Sequence, residues 1–271
     1  MILYSINISL LMELRKHIQR RFFRKGKGLL YRWLFSAGNS SSEHITLRVC
    51  IAAILSFFLC VFFGGMLIKK LRKHGITEDT AKTDSETLRE MHKSKKGVPT
   101  MGGITIILSI VLTSIICSNM FNGYVLLVLF TTIWLGALGF IDDYIKLTQE
   151  HAHGLTDVSK LVFQFGLGLI LGLVIYFHFK DMKYAANITI PFFKNISICL
   201  GGFYVLFVTV FITGMSNSVN LTDGLDGLAI GCTIIVGLAF VIICYISGRA
   251  DFSSYLQVTY IKGSGELCIF F

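Results

Sequence analysis

Residues 123–141, GYVLLVLFTTIWLGALGFI, contain no charged side chain and end directly at Asp142 and Asp143. A helix needs about 20 mostly apolar residues to cross the hydrocarbon core of a bilayer, so this run is long enough for one crossing. Five further runs meet the same condition, at 49–68, 102–119, 161–179, 199–216 and 228–247, and a seventh begins near Glu266. The runs are apolar on every side, whereas the strands of a β-barrel would alternate. The sequence therefore predicts an all-α, polytopic membrane helix bundle with six complete transmembrane helices and the start of a seventh.

The composition of the whole chain agrees with a membrane protein. Of its 271 residues, 54% are hydrophobic and 15% are charged, and the mean hydropathy is +0.68. One water-soluble core cannot hide so much apolar surface, which excludes a soluble globular protein. A net charge of +9 would suggest nucleic acid as the partner of a soluble protein. Here the positive charge lies in the loops beside the membrane, so no nucleic-acid partner is predicted.

The distribution of Lys and Arg predicts how the chain is oriented. The loops 69–101 and 142–160 hold eleven of these residues, whereas the loops on the opposite side hold five. Because positively charged loops stay in the cytoplasm, the loops after spans one, three and five are predicted to be cytoplasmic. Residues 1–43 are predicted to form a basic N-terminal arm, and 44–271 one transmembrane domain. Either the arm lies on the lipid surface or the native start is further downstream.

Acidic residues lie at the ends of two predicted spans, both on the predicted cytoplasmic side. Asp142 and Asp143 end the third span, while Asp223 and Asp226 lie in the connection SNSVNLTDGLDG, residues 216–227. Carboxylates next to a bilayer need a cation, a partner or an aqueous cavity. Adjacent carboxylates also repel each other, and Mg²⁺ would relieve this because it binds carboxylate, water and phosphate oxygens. The pattern therefore favours phosphoryl transfer with Mg²⁺ over two solvated loop ends.

A basic segment, HKSKKGVPTMGG at 92–103, leads into the second predicted span. Its lysines can neutralise a diphosphate, and its glycines let a backbone approach an anion closely. The same residues are also typical of a positively charged flank followed by a helix start. From these residues alone, both interpretations stay open.

Four motifs, taken in order, resemble the polyprenyl-phosphate N-acetylhexosamine-1-phosphate transferases. They are PTMGG at 99–103, FIDDYIKL at 140–147, PFFKN at 191–195 and NSVNLTDGLDGLAIG at 217–231. The resemblance extends from about Leu29 to the last residue, and it is closest to bacterial members that act on phospho-MurNAc-pentapeptide. It implies transfer of that group from UDP-MurNAc-pentapeptide to undecaprenyl phosphate, with Mg²⁺, giving lipid I and UMP for peptidoglycan synthesis. It further implies a bundle of ten helices in the bacterial inner membrane, a homodimer, and an active site that faces the cytoplasm.

The resemblance also implies roles for individual residues. Asp142, Asp143 and Asp223 match catalytic acids; Asp142 matches the acid that acts on the lipid phosphate, and Asp143 and Asp223 match metal ligands. The positions that match substrate-binding residues are Lys95, Thr100, Lys160, Gln164, Asn217, Asn220, Gly224, Leu225 and Asp226.

The sequence departs from the family pattern at two places. Val98 stands where the family usually has Thr, which is a mild change. The sequence also ends at GSGELCIFF, before a later Asp and a His-rich motif of the family. We therefore expect residues 1–271 alone to be catalytically incompetent, and normal Mg²⁺-dependent turnover by purified 1–271 would contradict this.

Three other functions stay open. A sister transferase would move GlcNAc-1-phosphate to the same lipid, and the choice of sugar nucleotide in an assay separates the two. A membrane cation transporter would require charges within the spans and helices broken near the midplane, whereas these acids lie at one face. A non-enzymatic membrane scaffold would not bind a UDP-sugar.

Overall fold

The computed structural model describes residues 45–73, 102–148, 154–178, 186–189, 197–223 and 227–271. Within these ranges the helices are α1 (Ile45–Lys73), α2 (Gly103–Cys117), α3 (Gly123–Thr148), α4 (Asp157–His178), α5 (Phe203–Thr222), α6 (Leu228–Ser247) and α7 (Ala250–Leu256). Strands β1 (Asn187–Thr189) and β2 (Ser197–Cys199) form a short antiparallel pair between α4 and α5. A 3₁₀ turn, Ser264–Ile269, follows α7. The prediction of an all-α architecture is confirmed.

Five helices, α1, α3, α4, α5 and α6, are long and apolar enough to cross a membrane. Large apolar side chains cover their outer surfaces; Phe57 and Phe62 of α1 are each 64% exposed and Ile235 of α6 is 70% exposed. Water would disfavour such a continuous apolar surface, whereas lipid chains match it. The chain is therefore a multi-pass membrane protein.

The second predicted span, 102–119, is shorter in the structure than in the prediction. Helix α2 has 15 residues, which is about 22 Å at 1.5 Å per residue, against a hydrocarbon core of about 30 Å. The helix ends where Ser118 adopts an extended conformation and its hydroxyl donates to the Ser114 carbonyl. The described residues thus contain five full-length spans and this shorter apolar helix, rather than six equal spans.

The predicted start of a seventh span is also different. Residues 264–269 form the 3₁₀ turn, which packs against α6 and α1. Glu266 is buried and accepts hydrogen bonds from both terminal nitrogens of Arg48, at 2.7 and 3.0 Å. The same carboxylate accepts the backbone N–H of Asn119 at 3.0 Å. An apolar pattern could not reveal this contact, because the two charged partners lie 218 residues apart.

Helices α4 and α5 pack closely because two glycines, one turn apart, lie between them. A Cβ on Gly168 would lie 2.7 Å from the Thr209 Cα, and a Cβ on Gly172 would lie 3.0 Å from the Val205 Cα. Small residues at this spacing let two membrane helices approach backbone to backbone. Leu167, Leu171 and Val208 are buried around this contact. The position of α4 against α5 is thereby fixed.

We expect Gly168→Leu to destabilise the bundle by about 1–3 kcal/mol, because the added side chain would overpack a backbone contact. Gly166→Leu is the matched control, since a Cβ on Gly166 has no neighbour within 4 Å. Thermal unfolding in detergent measures both variants. Equal melting temperatures for the two variants would contradict this packing.

Successive helices run in opposite directions, so the loops that connect them lie at two ends of the bundle. At one end, Arg48 near the start of α1 donates to the Cys117 carbonyl at the end of α2. The Asn122 side chain, just before α3, donates to the Gly263 carbonyl at the same end. At the other end, residues 135–142 of α3, the last turns of α5 and the first turns of α4 and α6 surround one cavity.

Candidate active site

Polar side chains of α3, α4 and α5, and of the residue that follows α5, meet around a cavity of about 250 Å³ at this second end of the bundle. The polar residues that line it are Asp142, Lys160, Gln164, Ser216, Asn220 and Asp223. Five of them, all except Ser216, were predicted as site residues. The acids of α3 and of the α5–α6 connection were predicted to face one compartment, and Asp142 and Asp223 do share this cavity.

Asp142 has donors on both carboxylate oxygens. Its Oδ1 accepts the backbone N–H of Leu155 at 2.7 Å and lies 3.1 Å from Lys160 Nζ. Its Oδ2 lies 2.7 Å from Lys146 Nζ. Lys146 Nζ also lies 3.7 Å from Asp143 Oδ1. Two lysines therefore supply part of the positive charge that was predicted to come from a metal ion.

Asp143 does not line the cavity, and 47% of its side chain is exposed. Neighbouring residues on a helix lie about 100° apart around its axis, so Asp142 and Asp143 point in different directions, although both carboxylates reach the Lys146 ammonium group. The resemblance implied that Asp143 and Asp223 hold the metal together. In the structure, Asp142 is the acid of α3 that shares the cavity with Asp223.

Gln164 and Asn217 connect α4 to α5. Gln164 is 5% exposed; its Nε2 donates to Ser216 Oγ and its Oε1 accepts from Asn217 Nδ2, each at 3.0 Å. Asn217 Nδ2 also donates to the Thr213 carbonyl. Both residues were predicted to bind substrate. In the structure their amides hydrogen-bond across the two helices and support the cavity wall.

Asp223 follows α5 directly, and its backbone N–H donates to the Val219 carbonyl. Its side chain is exposed and forms no ion pair with any residue in the described ranges. Asn220 lies almost one turn earlier and lines the same cavity. The other predicted substrate-binding residues, Lys95, Thr100, Gly224, Leu225 and Asp226, lie outside the described residues.

The lining of this cavity includes two carboxylates, those of Asp142 and Asp223. The described residues contain no group of three or more His, Cys, Asp or Glu that could hold a metal by itself. Mg²⁺, however, is usually bound by one or two carboxylates, with water and phosphate oxygens completing its coordination. Asp142 and Asp223 can provide those two carboxylates.

Sequence reasoning did not assign site roles to Lys146, Leu155 or Ser216. Lys146 could have been found, because residues four apart on a helix are neighbours and an Asp–Lys pair at this spacing is favourable. Ser216 precedes the matched motif by one residue. Leu155 acts through its backbone N–H, for which no side-chain pattern exists.

A second cavity, of about 410 Å³, lies next to the first along α3. Its lining residues are Phe130, Ile133, Trp134, Ala137, Leu138, Ile141, Leu155 and Phe163. Leu138 lines both cavities. A polar cavity and an apolar one therefore meet at the same end of the bundle.

Residues 125–265, which include Asp142, Lys160 and Asp223, match the family model for glycosyl transferase family 4. This match covers more than half of the sequence. The chain belongs to glycosyl transferase family 4. The family resemblance carried by the four motifs is confirmed.

Curated relatives of this family 4 chain carry the name phospho-N-acetylmuramoyl-pentapeptide-transferase. The chain is 38% identical to the protein from Desulfotalea psychrophila over 86% of its own length and 63% of that protein. It is 40% identical to the protein from Methylacidiphilum infernorum over 84% and 63%, and 38% identical to the one from Thermodesulfovibrio yellowstonii over 89% and 67%. The family 4 chain thus spans just under two thirds of the first two of these relatives.

Proposed function

We propose that the protein is a phospho-N-acetylmuramoyl-pentapeptide transferase. It moves phospho-MurNAc-pentapeptide from UDP-MurNAc-pentapeptide to undecaprenyl phosphate, and it yields lipid I and UMP for peptidoglycan synthesis. The observation that carries this proposal is the meeting of Asp142, Lys160, Asn220 and Asp223 in one cavity at one end of a membrane bundle. The name that the relatives share supports the choice of sugar.

The reaction brings several negative charges together, which this cavity can accommodate. An oxygen of the lipid phosphate attacks the β-phosphorus of the UDP-sugar, and the bond from that phosphorus to the bridging oxygen breaks. UMP departs with the electron pair of that bond. Positioning and charge stabilisation provide most of the catalysis in such transfers. In the described part of the chain, Lys146 and Lys160, which are held against Asp142, are cations that can engage the phosphates.

Asp142 is better suited to orient the acceptor phosphate and the two lysines than to remove a proton. The second pKa of a phosphate monoester is about 6, so the attacking group is largely dianionic at neutral pH. A carboxylate that is paired with two ammonium groups is also a weak base. We therefore assign to Asp142 an orienting role, with proton removal left to solvent.

Asp223, together with Asp142 or Asp143, would hold Mg²⁺ as the cofactor. When bound, the ion would neutralise charge on the diphosphate and on the departing UMP. Asn220, one turn from Asp223, offers an amide oxygen and two N–H donors to the same substrate group.

The adjoining apolar cavity gives the lipid acceptor a place beside the reacting groups. Its wall of Phe130, Trp134 and Phe163 suits an isoprenoid chain, and Leu138 connects it to the polar cavity. With the acidic loops in the cytoplasm, as the Lys and Arg distribution predicts, the site would face the inner side of the bacterial plasma membrane. The family resemblance also implies a homodimer, which crosslinking in native membranes would test.

Release of UMP tests this proposal directly. We expect the complete gene product, reconstituted with undecaprenyl phosphate, to release UMP from UDP-MurNAc-pentapeptide and to stop when EDTA removes divalent cations. If UMP were released from UDP-GlcNAc and not from UDP-MurNAc-pentapeptide, the protein would be the sister transferase instead. No release from either sugar nucleotide would contradict both, and leave a transporter or a scaffold as the remaining functions.

A further inference from the structure

The turn formed by Gly154 and Leu155, between α3 and α4, lies directly against the Asp142 carboxylate. The backbone N–H of Leu155 donates to Asp142 Oδ1 at 2.7 Å. Gly154 has a φ of +80°, and a Cβ there would lie 2.5 Å from the same oxygen and 2.8 Å from Lys146 Cε. Glycine adopts this φ without strain and leaves room for the contact. The approach of the turn to Asp142 therefore depends on glycine at 154.

This turn is joined rigidly to α4. Thr156 follows it and caps the helix, since its Oγ1 accepts the Ser159 N–H at 3.3 Å and its carbonyl accepts the Lys160 N–H at 3.1 Å. A capped first turn has a defined position relative to the rest of its helix. The Lys160 ammonium then reaches Asp142 Oδ1 as well. One continuous segment thus gives a backbone donor and a charged donor to a single oxygen.

The donors on Asp142 respond differently to an incoming phosphate. Lys146 and Lys160 carry ammonium groups on long flexible chains, and 46% of the Lys146 side chain is exposed. An anionic substrate can attract both ammonium groups away from Asp142. The Leu155 N–H belongs to the backbone just before a capped helix start, so it cannot follow the two ammonium groups toward the substrate. It is the donor that stays on the carboxylate when phosphates enter the cavity.

We propose that Gly154 and Leu155 are positioning residues, whose backbone keeps the Asp142 carboxylate at the cavity while Lys146 and Lys160 engage the substrate phosphates. This inference rests on the proposed transferase function and assigns a part in it to two residues outside the recognised motifs. Leu155 also lines the apolar cavity. The residue that fixes the carboxylate therefore also borders the place proposed for the lipid chain.

Gly154→Ala in the complete gene product tests the positioning role. The added methyl group displaces the carboxylate, and we expect kcat for UMP release to fall about 100-fold, as misplacement by about 1 Å does. KM for the sugar nucleotide should stay close to the wild-type value. Gly166→Ala is the matched control, because a Cβ there has no neighbour within 4 Å. Leu155→Met retains the N–H that contacts Asp142 and an apolar side chain, so this conservative variant should keep most of the wild-type rate.

A second measurement needs no turnover. Water-soluble carbodiimide with an added amine labels accessible carboxyl groups, and mass spectrometry reports the labelling of Asp142. We expect Asp142 to react several-fold faster in Gly154→Ala than in Gly166→Ala. If the alanine variant does not fold, Gly154→Asn replaces it, since asparagine tolerates a positive φ while its side chain disturbs the same contact.

The outcomes separate this inference from the proposed function. Equal labelling in the two alanine variants, a wild-type kcat in Gly154→Ala, or a rise in KM that matches the fall in kcat would overturn the positioning role. A wild-type protein that releases no UMP would overturn the proposed function. In that case faster labelling of Asp142 in Gly154→Ala would still support the contact.

Discussion

Asp142→Asn is expected to lower the rate of UMP release by about 10²–10⁴-fold, the range typical of a lost charged catalytic group. Asparagine has the shape of aspartate and can still accept the Leu155 N–H. It lacks the negative charge that holds Lys146 and Lys160 in place. Nucleotide affinity should stay close to wild type, because both lysines remain available to phosphate. Pre-steady-state UMP release and calorimetric binding of the sugar nucleotide measure the two effects separately.

Asp157→Asn is the matched control for this prediction. Asp157 is an exposed acid in the first turn of α4, does not line the cavity and carries the same charge. Its replacement should leave the rate of UMP release unchanged. An unchanged rate in Asp142→Asn would exclude that carboxylate from the reaction.

Glu266→Ala is expected to destabilise the protein by about 3–5 kcal/mol, the usual cost of removing one partner of a buried ion pair. Arg48 is 2% exposed, and its guanidinium donates two hydrogen bonds to the Glu266 carboxylate. The alanine would also remove the acceptor for the Asn119 N–H. The midpoint of thermal or denaturant unfolding in detergent measures the loss.

Two further variants show whether charge pairing is the cause. Arg48→Met combined with Glu266→Leu should recover most of the lost stability, since an apolar pair of similar size often replaces a buried ion pair at little cost. Asp251→Ala removes the partner of Arg249, an exposed pair at 2.6 Å. That hydrogen bond to Arg249 lowers the pKa of Asp251, but solvent screening should keep the effect on stability small. An equal loss in the double variant and in Glu266→Ala would contradict a pairing role.

The helical membrane architecture could be predicted from the sequence because length and apolarity decide it. The run 123–141 needs no partner to be recognised as a span; its helix, α3, begins at the predicted residue and continues past the predicted end to Thr148. The ends of the bundle were not predictable in the same way. Hydrogen bonds between distant residues form there: the Glu266 carboxylate accepts the Asn119 N–H just after α2, and the segment around Glu266 folds as a 3₁₀ turn.

The site was predictable where side-chain chemistry repeats a known pattern. Asp142 and Asp223 could be named because their motifs resemble a family, and Lys160 because it falls on a family position; all three line the cavity. Only the geometry of α3 shows that Asp142, and not Asp143, lines the cavity. The positions of Lys146 and of the Leu155 N–H depend on which atoms face the carboxylate, and residue identity alone does not specify that.

The 218-residue separation between Arg48 and Glu266 has a consequence for biosynthesis. A ribosome that adds about 5–20 residues per second needs about 10–40 s to make the intervening chain. During that interval the guanidinium has not yet met the carboxylate that it contacts in the folded structure. The contact between α1 and the 3₁₀ turn can therefore form only after α2 to α7 have been synthesised.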